Sequence, residues 1–172
     1  MKQLIRITTV VVAALFFVTE NSHAQSKESR PSPPDQVSAS IGSATVTIDY
    51  SQPSAKGRNV FGGLQKFGKV WRTGANEASW IEVTADVTIQ GKKLPKGKYG
   101  LFTIPGEDEW IIILSKNWDH WGTQYSGEKN DALRVKAKPT KNAHTEKFTI
   151  TMNGNIVSMA WDKTRVDFEI KG

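Results

Sequence analysis

No cysteine occurs in the 172 residues, which excludes disulfide cross-links, thiolate nucleophiles and the lipid-carrying cysteine of a bacterial lipoprotein. Histidine is scarce. One of the three, His23, falls in the N-terminal leader, and the spacing of His120 and His144 resembles no zinc motif, so no metal is expected. No serine stands in a G-x-S-x-G elbow, and no S-x-x-K is accompanied by its supporting motifs. No glycine run leads into a helix to cradle a phosphate, and no cofactor is expected. A long amphipathic helical pattern is missing too. The charge is not lopsided: 23 Lys and Arg against 17 Asp and Glu give a formal +6. That excess is scattered along the chain, which serves solubility with a weak preference for anionic surfaces and does not predict a nucleic-acid partner.

What the chain does have begins with a leader. Lys2 and Arg6 precede the apolar run Val10 to Val18, and Ser22-His23-Ala24 offers small residues where a signal peptidase cuts. Residues 1–24 are therefore expected to be a secretory signal peptide, and the chain periplasmic or secreted. The run is shorter than the roughly 20 residues that cross a bilayer, so no transmembrane segment is expected after cleavage. Residues 25–35, rich in serine and proline, are expected to form a disordered linker. Residues 36–172 suit one domain with a hydrophobic core.

Within that domain the apolar residues recur at every second position, the period of strands with one buried face. Val37, Ala39 and Ile41, then Ala44, Val46, Ile48 and Tyr50, make a hairpin across Gly42-Ser43. Ile81 to Ile89, Tyr99 to Ile104 and Ala132 to Lys138 supply more strands, and Trp110 to Leu114, apolar on both parities, predicts one covered on both faces. Phe148 to Met152, Val157 to Trp161 and Val166 to Ile170 follow, with turns expected at Asn153-Gly154-Asn155 and Asp162-Lys163. The fold predicted is all-β, an antiparallel β-sandwich of about nine strands with a long crossover loop and at most a short helix. The crossover is Ser51 to Ala78, with a short helical turn expected around Val60 to Phe67.

Two clusters carry the chemistry. In Val70-Trp71-Arg72-Thr73-Gly74-Ala75-Asn76-Glu77-Ala78, Trp71 offers a flat face, Arg72 a bidentate fork, Asn76 a donor and an acceptor, and Glu77 an acid, base or ligand. Such a group reads as a ligand site, as a protein-contact surface, or as an Arg72–Glu77 ion pair pinning the crossover with Trp71 plugging the core. The second is Asn117-Trp118-Asp119-His120-Trp121-Gly122-Thr123-Gln124-Tyr125. There Trp118, His120, Trp121 and Tyr125 either stack on sugar rings or apolar ligands, or fold back as a lid over the core.

These clusters, with Lys98-Tyr99-Gly100-Leu101-Phe102-Thr103-Ile104-Pro105, resemble the DUF2911 family, secreted bacterial domains without a defined biochemical role. The resemblance runs from about Pro34 to Ile170 and implies no catalytic residues. The function expected is that of an exported, non-catalytic domain binding a small molecule, a glycan or an envelope protein. The alternative is a cell-envelope glycan or peptide hydrolase using Glu77 with His120 or Asp131. Convergence of Arg72, Glu77, His120 and Asp131 on one concave pocket would favour the hydrolase, and a flat aromatic surface without carboxylate pairs the binding domain.

Overall fold

The computed structural model describes residues 29–172; the expected leader and the first residues of the expected linker lie outside the described residues. Ten strands follow in order: β1 (Pro34–Ile41), β2 (Ala44–Ser51), β3 (Trp80–Val83), β4 (Val87–Ile89), β5 (Lys92–Leu94), β6 (Gly97–Ile104), β7 (Trp110–Ser115), β8 (Asp131–Ala137), β9 (Pro139–Asn153) and β10 (Ile156–Lys171). They form two antiparallel sheets, β1-β2-β3-β6-β7-β8 and β5-β4-β10-β9. The molecule is the expected all-β sandwich. Among the described residues the one complete helical element is the 3-10 turn Glu128–Asn130, and no described helix is long and apolar enough to cross a membrane.

The period of two places the core. Ala44, Val46, Ile48 and Tyr50 are buried while Thr45 and Thr47 on the opposite face are not, and Ile81 and Val83 continue the inner row. From the second sheet come Phe148, Ile150, Val157, Met159 and Trp161. At the centre stand Trp71, Trp110 and Trp161 around the half-buried Phe61. Trp71 stacks on Trp161 at 5.6 Å and 22°, while Phe61 meets all three indoles edge-on, the favoured geometry for rings whose faces are negative and edges positive. Tyr50 ties the two sheets together: its hydroxyl donates to Asp35 (2.7 Å) and accepts from the Ile150 N–H (2.9 Å).

Three local expectations need correction. Phe168 and Ile170 share an inner face with Trp161, yet the apolar parity switches from odd to even positions across Asp162. A turn is one way to reset parity; here β10 runs on, and register shifts on either side of Asp162, whose φ is 52°, re-phase the strand without ending it. Residues 60–67 form no helix. Gly62 and Gly63 let the chain fold into tight turns closed by Gly62 N–H to Gln65 O and Gln65 N–H to Val60 O, both 2.8 Å. The proline-rich stretch before the domain is docked over its described part. Pro34 and Asp35 already belong to β1, the Pro33 carbonyl accepts from the Gln52 N–H, and the Ser32 carbonyl accepts from the Asn76 amide.

The long crossover visits both sheets. Pro53 to Ala55 lies along β9, with Phe148 N–H to Pro53 O and Ala55 N–H to Glu146 O, and Trp71 then pairs with Thr103 of β6 through two backbone hydrogen bonds. From there it climbs onto the outer face of the six-stranded sheet. β7 is covered on both faces, as its sequence implies, because Ile113 and Phe102 on the outer side are buried under that segment and the loop after β7.

Candidate functional site

The outer face of the six-stranded sheet carries one row formed by Asp49, Trp80, Gly100 and Ser115 on neighbouring strands. The glycine in the row is a matter of space. A Cβ at Gly100 would lie 2.6 Å from the Asn117 carbonyl oxygen and 3.4 Å from the Trp118 Cα, so the loop after β7 can rest its backbone on the sheet only where a side chain is missing. The same loop then pairs with the crossover. Ala78 N–H donates to His120 O (3.1 Å) and Gly122 N–H to Asn76 O (3.2 Å), a short bridge centred on Glu77 and Trp121. Gly122 repeats the theme, since a Cβ there would meet the Arg72 Cδ at 2.3 Å. The two sequence clusters are therefore one structural unit.

That unit is rigidly built. Thr73 and Asn76 hold φ of 52° and 61°, a left-handed conformation costly for a β-branched threonine. Buried hydrogen bonds enforce it: the Thr73 hydroxyl donates to the Thr103 hydroxyl (3.1 Å), and the Ser79 hydroxyl donates to the Thr73 carbonyl (2.9 Å). Arg72 donates to the Asn76 carbonyl at 2.8 Å, and burial lowers its guanidinium from the usual value. The far end of the loop is fastened by Asp131, whose carboxylate accepts from the Tyr125 hydroxyl (2.7 Å) and Arg134 (2.6 Å). Desolvation pushes the Tyr125 phenol up, and its bond to Asp131 pushes in the same direction.

Between the unit and the sheet lies a cleft of about 190 Å³. Its acids are Asp49, Glu77 and Asp119, its aromatic walls Trp80 and Trp118, and its cation Arg30, with His120 at one side. Arg30 donates to both oxygens of Glu77 at 2.8 and 2.9 Å. The Lys98 ammonium sits 3.4 Å from the Trp80 ring centroid and 4.1 Å from that of Trp118, holding the indole of the loop to the indole of the strand. His120 stacks on Phe102, its Nδ1 lies 2.9 Å from the Trp121 carbonyl, and its Nε2 is buried with no partner among the described residues. With Nδ1–H donating to that carbonyl, Nε2 presents a lone pair.

Of the residues singled out from sequence, Glu77, Trp118 and His120 meet at the cleft. Arg72 and Asn76 brace it from behind, and Asn76 reaches the Ser32 carbonyl and the Ser51 hydroxyl. Trp71 does not take part: it is 4% exposed, locked among the core aromatics, with its N–H donating to the Gly74 carbonyl. The Arg72–Glu77 pair is replaced by Arg30–Glu77. Trp121 is half exposed and outside the cleft, and Tyr125 packs on Phe102 as the loop's anchor. Asp131 belongs to that anchor and lines no part of the cleft.

Sequence reasoning missed Arg30, Asp49 and Trp80. Trp80 left a signal, being a large aromatic at the outward parity of a strand whose inward positions are Ile81 and Val83. Among the described residues no three histidines or acids gather as a metal site.

Fold and site together define a β-sandwich whose one outer face is roofed by two paired loops around a small acidic and aromatic cleft. The chain belongs to the DUF2911 family, described as proteins of unknown function, whose model matches residues 32–170. Comparison with curated proteins and with solved structures finds no match.

Proposed function

We propose that this chain is an exported binding domain and that its cleft takes one sugar ring of a glycan. The observation that carries the reading is the meeting of Glu77, Trp118 and His120, from segments some forty residues apart, with Asp49 and Trp80 around one cavity. Its lining combines the carboxylates of Asp49, Glu77 and Asp119 with the Arg30 guanidinium, the hydroxyl-bearing Tyr50 and Ser51, and two indoles. Such a lining suits a ligand whose polar groups both donate and accept. Hydroxyl groups satisfy it, and the apolar face of a sugar ring suits the indoles. At about 190 Å³ the cleft is below the roughly 300 Å³ at which pockets for drug-sized ligands begin, which fits a single ring at an end or branch of a larger molecule.

A hydrolase built on Glu77 and His120 is less well supported. Both Glu77 oxygens are engaged by Arg30, and Asp131, the other proposed assistant, is committed to Tyr125 and Arg134.

The test is a titration of the purified protein with a panel of mono- and oligosaccharides, followed by tryptophan fluorescence and calorimetry. Saturable binding that falls at least about tenfold in Trp118→Ala and Glu77→Gln, a loss of about 1.4 kcal/mol each, with unfolding midpoints retained, is the expected result. No response across the panel removes the glycan reading. Mass measurement of the exported chain, expected to begin after Ala24, checks the export half of the proposal.

A further inference from the structure

A second surface shares no lining residue with the cleft. Four large apolar side chains are exposed among the described residues, and three of them, Leu64 (41%), Phe67 (37%) and Val70 (39%), stand within one short stretch of the crossover. Lys66 and Lys69, also exposed, are interleaved with them. Neither lysine forms an ion pair with a described residue. The loop is not slack chain. Its base is the aromatic anchor Phe61, its near arm is closed by the Gly62–Gln65 and Val60–Gln65 hydrogen bonds, and its far arm is fixed by Gly68 N–H to Pro105 O at 2.8 Å. Three apolar groups are thus held partly exposed at the surface by a structured turn.

The surroundings add an excess of positive charge. Phe67 lines a shallow groove with Lys141 and Lys163, and Glu107 is the acid there; the adjoining hollow adds Arg58, with its Asp162 already bound to His144. Trp110, at the groove's floor, has an indole N–H that is buried without a partner among the described residues.

From this we infer that the loop end of the sandwich docks on an anionic lipid bilayer, Leu64, Phe67 and Val70 entering the boundary between headgroups and acyl chains while the lysines meet the phosphates. Area separates a membrane from an acidic protein as the partner. A stable protein interface needs about 800 Å² of complementary surface on each side, whereas three side chains raised singly on a turn offer far less. Interfacial insertion requires only apolar groups that penetrate and cations that stay at the surface.

The experiment is co-sedimentation of the exported protein with vesicles of phosphatidylcholine alone and of phosphatidylcholine mixed with phosphatidylglycerol. Binding to the mixed vesicles, weakened by salt and absent with phosphatidylcholine alone, is expected. At about 1 kcal/mol per lysine at the surface, Lys66→Ala with Lys69→Ala should weaken it about thirtyfold. Leu64→Ser with Phe67→Ser should abolish it, with unfolding midpoints unchanged in the lysine pair. Trp118→Ala, which empties the cleft, should bind vesicles as the parent does, so the two readings stand or fall separately. Absence of vesicle binding, or binding indifferent to both double substitutions, overturns the inference. Retention on immobilised polyglutamate in place of vesicles overturns it in favour of an acidic polypeptide.

Discussion

Tyr50 shows how much one side chain can carry. It closes the inner row of β2, meets Phe148 edge-on at 5.6 Å, and joins the two sheets through Ile150. Burial is the main reason its phenol is pushed far above the ordinary value; the Ile150 hydrogen bond opposes this, and Asp35 adds to it. The sign follows from proton counting. The unfolded chain releases the tyrosine proton near pH 10 while the folded chain keeps it, so the contribution is fully present below about pH 10 and is lost as pH rises beyond it. Tyr50→Phe should flatten that alkaline decline. At neutral pH it should cost about 1 to 3 kcal/mol by leaving the Ile150 N–H unsatisfied, measured by urea unfolding across pH. Trp71 and Trp80 teach a different lesson about legibility. Trp71 stands beside Arg72 while Trp80 lies between Ser79 and Ile81, so sequence alone favours Trp71 for the site; only the packing shows Trp71 in the core and Trp80 on the cleft.

Among the elements, the loop after β7 and the end of the crossover decide whether a cleft exists at all. Their union rests on two glycines that make room for backbone and for Arg72. Gly122→Ala should push the Arg72 stem aside and cost about 1 to 3 kcal/mol in overpacking. It should also weaken ligand binding more than a surface substitution of equal cost, which paired calorimetry and thermal unfolding would separate. The strands were largely legible because alternation is a local signal, which β2 follows from Ala44 to Tyr50, while the unbroken apolar run of β7 marks a strand covered on both faces. The parity switch at Asp162 was visible as well, but a turn and a bulge reset parity alike, and only the partner strand β9 distinguishes them. The partnership of Glu77 with Arg30 was not legible, since ion pairs between distant segments leave no trace in periodicity.

For the molecule as a whole, the crossover stitches both sheets to one core, through Pro53–Ala55 on β9 and Trp71 on β6. The main core is shared by both sheets, and only the small outer cluster of Ala78, Phe102 and Ile113 belongs to the six-stranded sheet alone. Unfolding in urea should therefore be a single transition, with far-ultraviolet circular dichroism and tryptophan fluorescence coincident; separated midpoints would show that the sheets come apart in turn. The cleft and the basic, apolar loop share no lining residue, so docking by the loop as proposed would leave the cleft open.

The six tryptophans divide unevenly over this architecture: Trp71, Trp110 and Trp161 sealed together, Trp80 and Trp118 bracketing an ammonium, Trp121 in open solvent. Collisional quenchers such as iodide will reach the last of these and leave the sealed trio bright. Emission from one sample thereby separates the sealed core trio from the exposed Trp121, without any label being attached.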